Sequence, residues 1–324
     1  MNAHTPSLAE SRKRDFLQHA FGPIIRAALE DPRVVEIMVN DDGRIWIDKA
    51  GEGRTDSGER LDPAAAEQVL RMMADHSGTT VTRQRPIFGG VLPETGERFQ
   101  GLYPPVVTAP SFTIRKRPAV IFTLDDYVAQ GIMTGEQRDA LRQAVADRLN
   151  IIVAGGTGSG KTTLLNALLA EPAFGDDRVI LIEDTRELQC SAPDHLFLLS
   201  RRGEHPVTMA DLVAASLRLR PDRIVGGEVR DGGAALGLLK AWNTGHSGGL
   251  STIHANSAEE TLDRLDQLIS EVLPNSQARL ISQSVNVVAF MERTRSGRRL
   301  GQIIRITPNK RPGDFTITAY RGRA

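Results

Sequence analysis

Residues 155–162 read Gly155-Gly156-Thr157-Gly158-Ser159-Gly160-Lys161-Thr162, a complete G-x-x-x-x-G-K-[ST] phosphate loop. An apolar, strand-like run precedes it (Leu149, Ile151, Ile152, Val153) and a helix-like run, Thr163 to Ala170, follows. That order fixes a strand–loop–helix unit and with it an α/β fold. A tight glycine turn lets successive backbone N–H groups point at a polyphosphate. The helix behind it adds the positive end of its dipole. In such a loop Lys161 reaches the β- and γ-phosphates of a nucleotide such as ATP, and the Thr162 hydroxyl ligates Mg²⁺. Thr163, the next residue into the helix, completes the candidate cradle.

The remaining bulk properties exclude more than they assert. The chain has 324 residues, room for two domains, and 40 Lys plus Arg against 40 Asp plus Glu. A net charge of zero speaks against a protein that coats nucleic acid, so no stable nucleic-acid binding is expected. The single cysteine, Cys190, rules out an intrachain disulfide framework and a four-cysteine zinc site. No apolar run approaches a membrane span, and the first thirty residues lack a signal-peptide core. A soluble, cytoplasmic chain is expected. Arg12-Lys13-Arg14 ahead of the apolar helical positions Phe16, Leu17, Phe21, Ile24, Ile25 and Leu29 leaves open a peripheral membrane contact beside the plainer reading, a helix packed on its own domain.

Strand runs at Val34–Val39 and Arg44–Asp48 flank Asn40-Asp41-Asp42-Gly43, a hairpin signal. Asp62-Pro63 opens a helix. We expect a small N-terminal α/β sheet domain over 1–117, a linker at 118–124 and the larger domain over 125–324. Thr123 with Asp126 and Thr134 with Gln137 mark two helix starts. Strands are then expected at 178–182, 196–200, 222–226, 249–254, 285–292, 301–306 and 314–320, with helices at 209–219, 234–241 and 258–272. This alternation predicts a doubly wound sheet closed by an antiparallel hairpin.

Three further segments carry candidate chemistry. The strand Ile180-Leu181-Ile182 ends in Glu183-Asp184, where a carboxylate can orient a water or an Mg²⁺ shell; a turn with solvated acids is the alternative. The strand Arg223-Ile224-Val225 ends in Gly226-Gly227-Glu228, with the glycines expected to let the strand end approach a nucleotide. Residues 244–254 hold His246 and His254 among glycines and hydroxyls that could sense a γ-phosphate; His254 alone could equally be an ordinary strand histidine.

In that order, the phosphate loop, Glu183-Asp184, Arg220-Pro221-Asp222…Gly227-Glu228 and the paired-histidine segment resemble the secretion-ATPase superfamily, which powers type II and type IV secretion, pilus assembly and retraction, and conjugation. The segments Leu92-Pro93…Gly96-Glu97-Arg98-Phe99 and Ser111–Pro118 resemble its conjugative type IV branch. The resemblance implies a RecA-like P-loop NTPase motor domain behind the smaller N-terminal domain, ATP between the two, and a homohexameric ring. Its partners would be the inner-membrane components of a secretion or conjugation machine. It implies that Arg98 and Arg115 offset phosphoryl charge, from the same subunit or a neighbour, with Arg202 and Arg218 in reserve. A surface hairpin arginine and a linker ion pair are the plainer readings of Arg98 and Arg115. The absence of a four-cysteine insertion disfavours the secretory and pilus-extension branches. Hydrolysis would then use a water oriented by Glu228 or Glu183, with Glu228 favoured. A pilus-retraction motor, a RecA-like DNA translocase, a small-molecule kinase and a non-catalytic module are the alternatives.

Overall fold

The computed structural model describes residues 8–49, 52–93, 95–116, 121–201, 205–294, 297–311 and 313–322, with side chains from Phe16 onward except Gln18. The chain divides into two compact units, Met1–Ala119 and Val120–Ala324.

In the first unit six strands lie in the order β3-β2-β1-β6-β5-β4, every pairing antiparallel. They are β1 (Val34–Val39), β2 (Arg44–Lys49), β3 (Gly53–Arg60), β4 (Ile87–Val91), β5 (Arg98–Leu102) and β6 (Ser111–Arg115). The β1–β2 turn closes where expected, with the Gly43 N–H donating to Asn40 O at 2.9 Å and Gly43 at φ 82°. Helices α1 (Leu8–Glu30) and α2 (Pro63–His76) supply the other half of the core. The Asp62 carboxylate accepts from the Ala64 N–H at 2.8 Å, so Asp62 caps α2 with Pro63 in its first turn. Leu17, Phe21, Ile25 and Ala28 of α1 are buried with Leu70, Met73, Phe99 and Phe112, so from Leu17 on this helix packs on its own unit, while Phe16 stays exposed. The helix breaks at Gly22 (φ 73°) ahead of Pro23. Arg12, Lys13 and Arg14 are helical in backbone, and their side chains lie outside the described residues.

The second unit holds the phosphate loop in an eight-stranded sheet of order β14-β13-β12-β7-β11-β10-β8-β9. Its strands are β7 (Ile151–Gly155), β8 (Val179–Glu183), β9 (His195–Leu199), β10 (Arg223–Gly226), β11 (Leu250–Ile253), β12 (Val287–Thr294), β13 (Gly297–Pro308) and β14 (Phe315–Ala319). From β12 to β9 every pairing is parallel, while β13 and β14 return antiparallel as the expected hairpin. Central strands buried on both faces read as unbroken apolar runs, and β7 and β8 do. One face packs Ile151, Val153 and Leu181 under α3 (Leu124–Ala129), α4 (Gly135–Ala146) and α5 (Lys161–Leu169). The other packs Ile152, Ile180 and Ile224 under α6 (Met209–Ser216), α7 (Gly232–Asn243), α8 (Glu260–Ser270) and α9 (Ala278–Ser284). The fold is thus the doubly wound sheet that the alternation predicted, and it agrees with the RecA-like domain that the resemblance implied. Thr123 and Thr134 form the capping boxes of α3 and α4.

Because the six strands run parallel, their carboxyl ends share one edge, where Gly155, Glu183, Glu228 and His254 all lie. The opposite edge is pinned by Arg223, a fully buried guanidinium. It donates to the Asp177 carboxylate at 2.5 Å and to the Val145 and Ala173 carbonyls at 3.1 and 3.0 Å.

Candidate functional site

Strand β7 ends in Gly155, where no larger residue fits: a Cβ there would stand 2.3 Å from the Met291 carbonyl oxygen of β12. The loop continues through Gly158 (φ 71°) to Gly160 (φ 95°), the N-cap of α5, which has no side-chain cap. The first-turn N–H groups of α5 are therefore left for an anion. Ser159 Oγ is buried within the loop without a hydrogen-bond partner. Gly156, Thr157 and Gly158 are exposed at the mouth, and Thr162 and Thr163 are half-buried in the first turn of the helix. A cleft of about 590 Å³ opens beside the loop, lined by Gly156, Thr157, His254, Asn256, Glu260 and Arg264. These residues fit a nucleoside polyphosphate.

Lys161 is buried, and its ammonium donates to the Gly156 carbonyl at 2.9 Å and lies 3.3 Å from His254 Nδ1. On the other side of the ring, His254 Nε2 sits 2.7 Å from Glu228 Oε1, at ion-pair distance rather than as an aligned hydrogen bond. Burial and the Lys161 charge hold the imidazole below its ordinary range, against the pull of Glu228. The neutral ring that results has one consistent tautomer: Nδ1 accepts from the ammonium and Nε2 carries the proton toward the carboxylate. Glu228 Oε2 in turn accepts from Arg230, at 2.8 Å from Nε and closer still from Nη2, and Arg230 Nη1 donates to Asp184 at 2.6 Å. A chain of contacts thus runs Lys161–His254–Glu228–Arg230–Asp184 across the carboxyl ends of β7, β11, β10 and β8.

Backbone irregularity puts Glu228 there. Strand β10 stops at Gly226, the chain kinks, and Val229 re-pairs with Ile253 of β11. Glu228 occupies the interruption and turns toward His254.

Glu183 and Asp184 part company. Asp184 is half-buried and joins Arg230, whereas Glu183 is buried and folds back on its own loop. Its Oε1 accepts from the Glu187 and Leu188 N–H groups at 2.9 Å each, while Oε2 is buried and unpartnered. The solvated-acid alternative fails for this residue. Burial pushes its pKa from 4.5 to about 7, against the two backbone donors. A folded value above the unfolded one means that the native state holds the extra proton. The stability from this group is complete below the ordinary glutamate value and drains as pH rises through about 7. In nucleotide-free protein we expect unfolding free energy to fall by on the order of 2 kcal/mol from this group between about pH 5 and pH 8. Denaturant unfolding of Glu183→Gln across that range should show a flatter slope; an unchanged slope would refute the assignment.

Several glycine expectations are corrected. Gly226 and Gly227 make room for protein rather than nucleotide: a Cβ on Gly227 would meet Glu183 Cγ at 3.0 Å, and one on Gly226 would meet Leu238 and Ser251. Gly248 and Gly249 sit at the amino end of β11, away from the phosphate loop. Their N–H groups donate to Asn150 Oδ1, and a Cβ on Gly249 would fall 1.9 Å from Trp242 Nε1. They are packing glycines. His246 stays at that same end, 3.3 Å from the Ala241 carbonyl, so only His254 of the histidine pair reaches the site.

Arg98 and Arg115 lie in the first unit as register partners on β5 and β6. Arg218 is exposed beyond α6, and Arg202 lies outside the described residues, as do residues 118–120 of the anticipated linker. Sequence reasoning missed Arg230, although an arginine two positions after the strand-end acid was a readable cue.

Residues 18–296 match the type II/IV secretion system protein family. The chain belongs to that family. It is 47% identical over 292 residues to the conjugal transfer protein TrbB of Rhizobium radiobacter, spanning 90% of this chain and 89% of that relative. It is 34% identical over 293 residues to the type IV secretion system protein VirB11 of Brucella suis, spanning 81% and 79%. In fold it is similar to the Legionella pneumophila ATPase DotB (TM-score 0.58, 19% identity, covering 92% of this chain and 81% of that one). This family member is an ATPase, and the phosphate loop after β7 suits that activity.

Proposed function

We propose that this family member hydrolyses Mg²⁺-bound ATP as one subunit of a hexameric ring, and that the ring powers a conjugal-transfer type IV machine from the cytoplasmic face of the inner membrane. The observation that carries the reading is the link Lys161–His254–Glu228, which joins the phosphate loop to a strand-end carboxylate through a neutral imidazole. Identity of 47% to a conjugal transfer protein over nine-tenths of both chains supports the choice of machine. No described helix is long and apolar enough to cross a membrane, which suits a motor docked on membrane-embedded partners.

The residues divide the work by position. Lys161 leaves the Gly156 carbonyl and His254 to neutralise the incoming polyphosphate. Thr162 would hold Mg²⁺, with the unpartnered oxygen of Glu183 behind it; the ion would draw charge off the phosphate oxygens. Glu228, released by His254, orients the attacking water and takes its proton. Arg98 and Arg115 offset charge, from the same subunit or a neighbour. Residues 1–117 and 125–324 are the two domains and 118–124 the linker, and the binding, hydrolysis and release of ATP supply the stroke.

The ring is checked by sedimentation of the purified chain with and without ATP and Mg²⁺. We expect a species of six subunits when nucleotide is present. A monomer under every condition would sink the ring, and turnover driven by single-stranded DNA at physiological salt would favour a DNA translocase instead.

A further inference from the structure

The nucleotide motifs do not account for the hairpin of β12 and β13. Arg293 on β12 and Arg298 on β13 are register partners, so two guanidinium groups of the same charge share one face of the ladder. Like charges directly opposite are destabilising. The next rung is balanced, since Arg299 stands opposite Glu292 and pairs with it at 2.7 Å. Arg293 and Arg298 are exposed, and among the described residues neither has a carboxylate at ion-pair distance.

Their location is set by the sheet. Strand β12 lies directly beside β7, with Met291 in register with Gly155, so the hairpin is delivered onto the phosphate loop. A Cβ on Gly158 would lie 3.8 Å from Arg293 Nη1, and one on Gly160 would lie 3.2 Å from Arg298 Cδ and 3.6 Å from its Nη1. The two arginines therefore flank the uncapped positive end of α5, adding charge of the same sign. Such an accumulation is relieved by an anion, and the anion this loop is built to hold is a polyphosphate. Strand β7 lies between β11 and β12, so the arginines stand on the flank away from His254 and Glu228.

We propose that Arg293 and Arg298 form a second polyphosphate clamp, supplied by the same subunit, that grips the part of the phosphate chain shared by nucleoside di- and triphosphates. The clamp rests on the nucleotide-binding reading of the loop. Sitting on the flank away from the hydrolytic carboxylate, it contributes to affinity for product and substrate alike. It acts on KM more than on kcat.

Calorimetric titration of the full chain with ADP tests this, with Arg293→Ala, Arg298→Ala, the double variant, Arg298→Lys and Lys161→Ala in parallel. Loss of a charge-assisted contact predicts a Kd about tenfold weaker for each single variant, with partial recovery in Arg298→Lys. ATP KM should rise in step, with a smaller change in kcat. Unfolding of the nucleotide-free variants should be unchanged or slightly harder, because a repulsion has been removed. Unchanged ADP affinity in the double variant, with Lys161→Ala weakened, would overturn the clamp alone. Unchanged affinity in both would overturn the nucleotide reading with it. A fall confined to kcat, or weaker affinity only in variants that also lose stability, would likewise overturn the clamp.

Discussion

Glu228→Gln should turn ATP over 10²- to 10⁴-fold more slowly, roughly the span that a positioned general base contributes, while still binding nucleotide. The substitution keeps the shape of the side chain and removes only its charge and basicity. Glu228 is the right residue to test because its carboxylate is the acid in contact with His254, and through that ring with Lys161. Glu183 is differently placed, with one oxygen committed to two backbone donors and both closed off from solvent. Phosphate release measured beside ADP and ATP binding separates the two outcomes. Near-normal turnover in Glu228→Gln would transfer the role to Glu183 or to another group. Loss of binding as well as turnover would make Glu228 structural.

Lys161→Ala should have the broader effect, removing nucleotide affinity and turnover together. A single preorganised donor at a developing anionic charge is worth about 10²- to 10³-fold in rate. Lys161 supplies a full charge, and it does so inside a buried pocket where charge is weakly screened. A convenient readout is thermal unfolding, since a ligand that binds only the native state raises its stability with concentration. ADP should raise the unfolding temperature of the parent chain and leave that of Lys161→Ala unmoved. Equal consumption of ATP by both proteins would remove the basis for the whole mechanism.

The parts of this fold that were legible in the sequence are those in which local chemistry and tertiary structure agree. The phosphate loop, the Thr123 and Thr134 boxes, the Asp62-Pro63 helix start and the apolar strands β7, β8 and β10 each carry a signal that packing does not override. Strand β3 (Gly-Arg-Thr-Asp-Ser-Gly-Glu-Arg) does not: it is an exposed edge strand held by pairing with β2, and no alternation marks it. The seven-residue helix α9 is too short to show a period. At the site, the residue types were readable and their partners were not. Nothing in the string separates Glu183, turned inward onto its own loop, from Asp184, turned toward Arg230. Glycines were over-read as nucleotide contacts because a glycine reports only that space is short, not what fills it. At Gly227 the occupant is Glu183, and at Gly249 it is Trp242.

The position of β11 between β7 and β10 has a mechanical consequence. The phosphate loop and the proposed catalytic acid, Glu228, follow strands that do not pair with each other, and the strand between them leads into His254. On the proposed mechanism, the arrival or departure of a terminal phosphate would be felt first at His254, which already touches both Lys161 and Glu228.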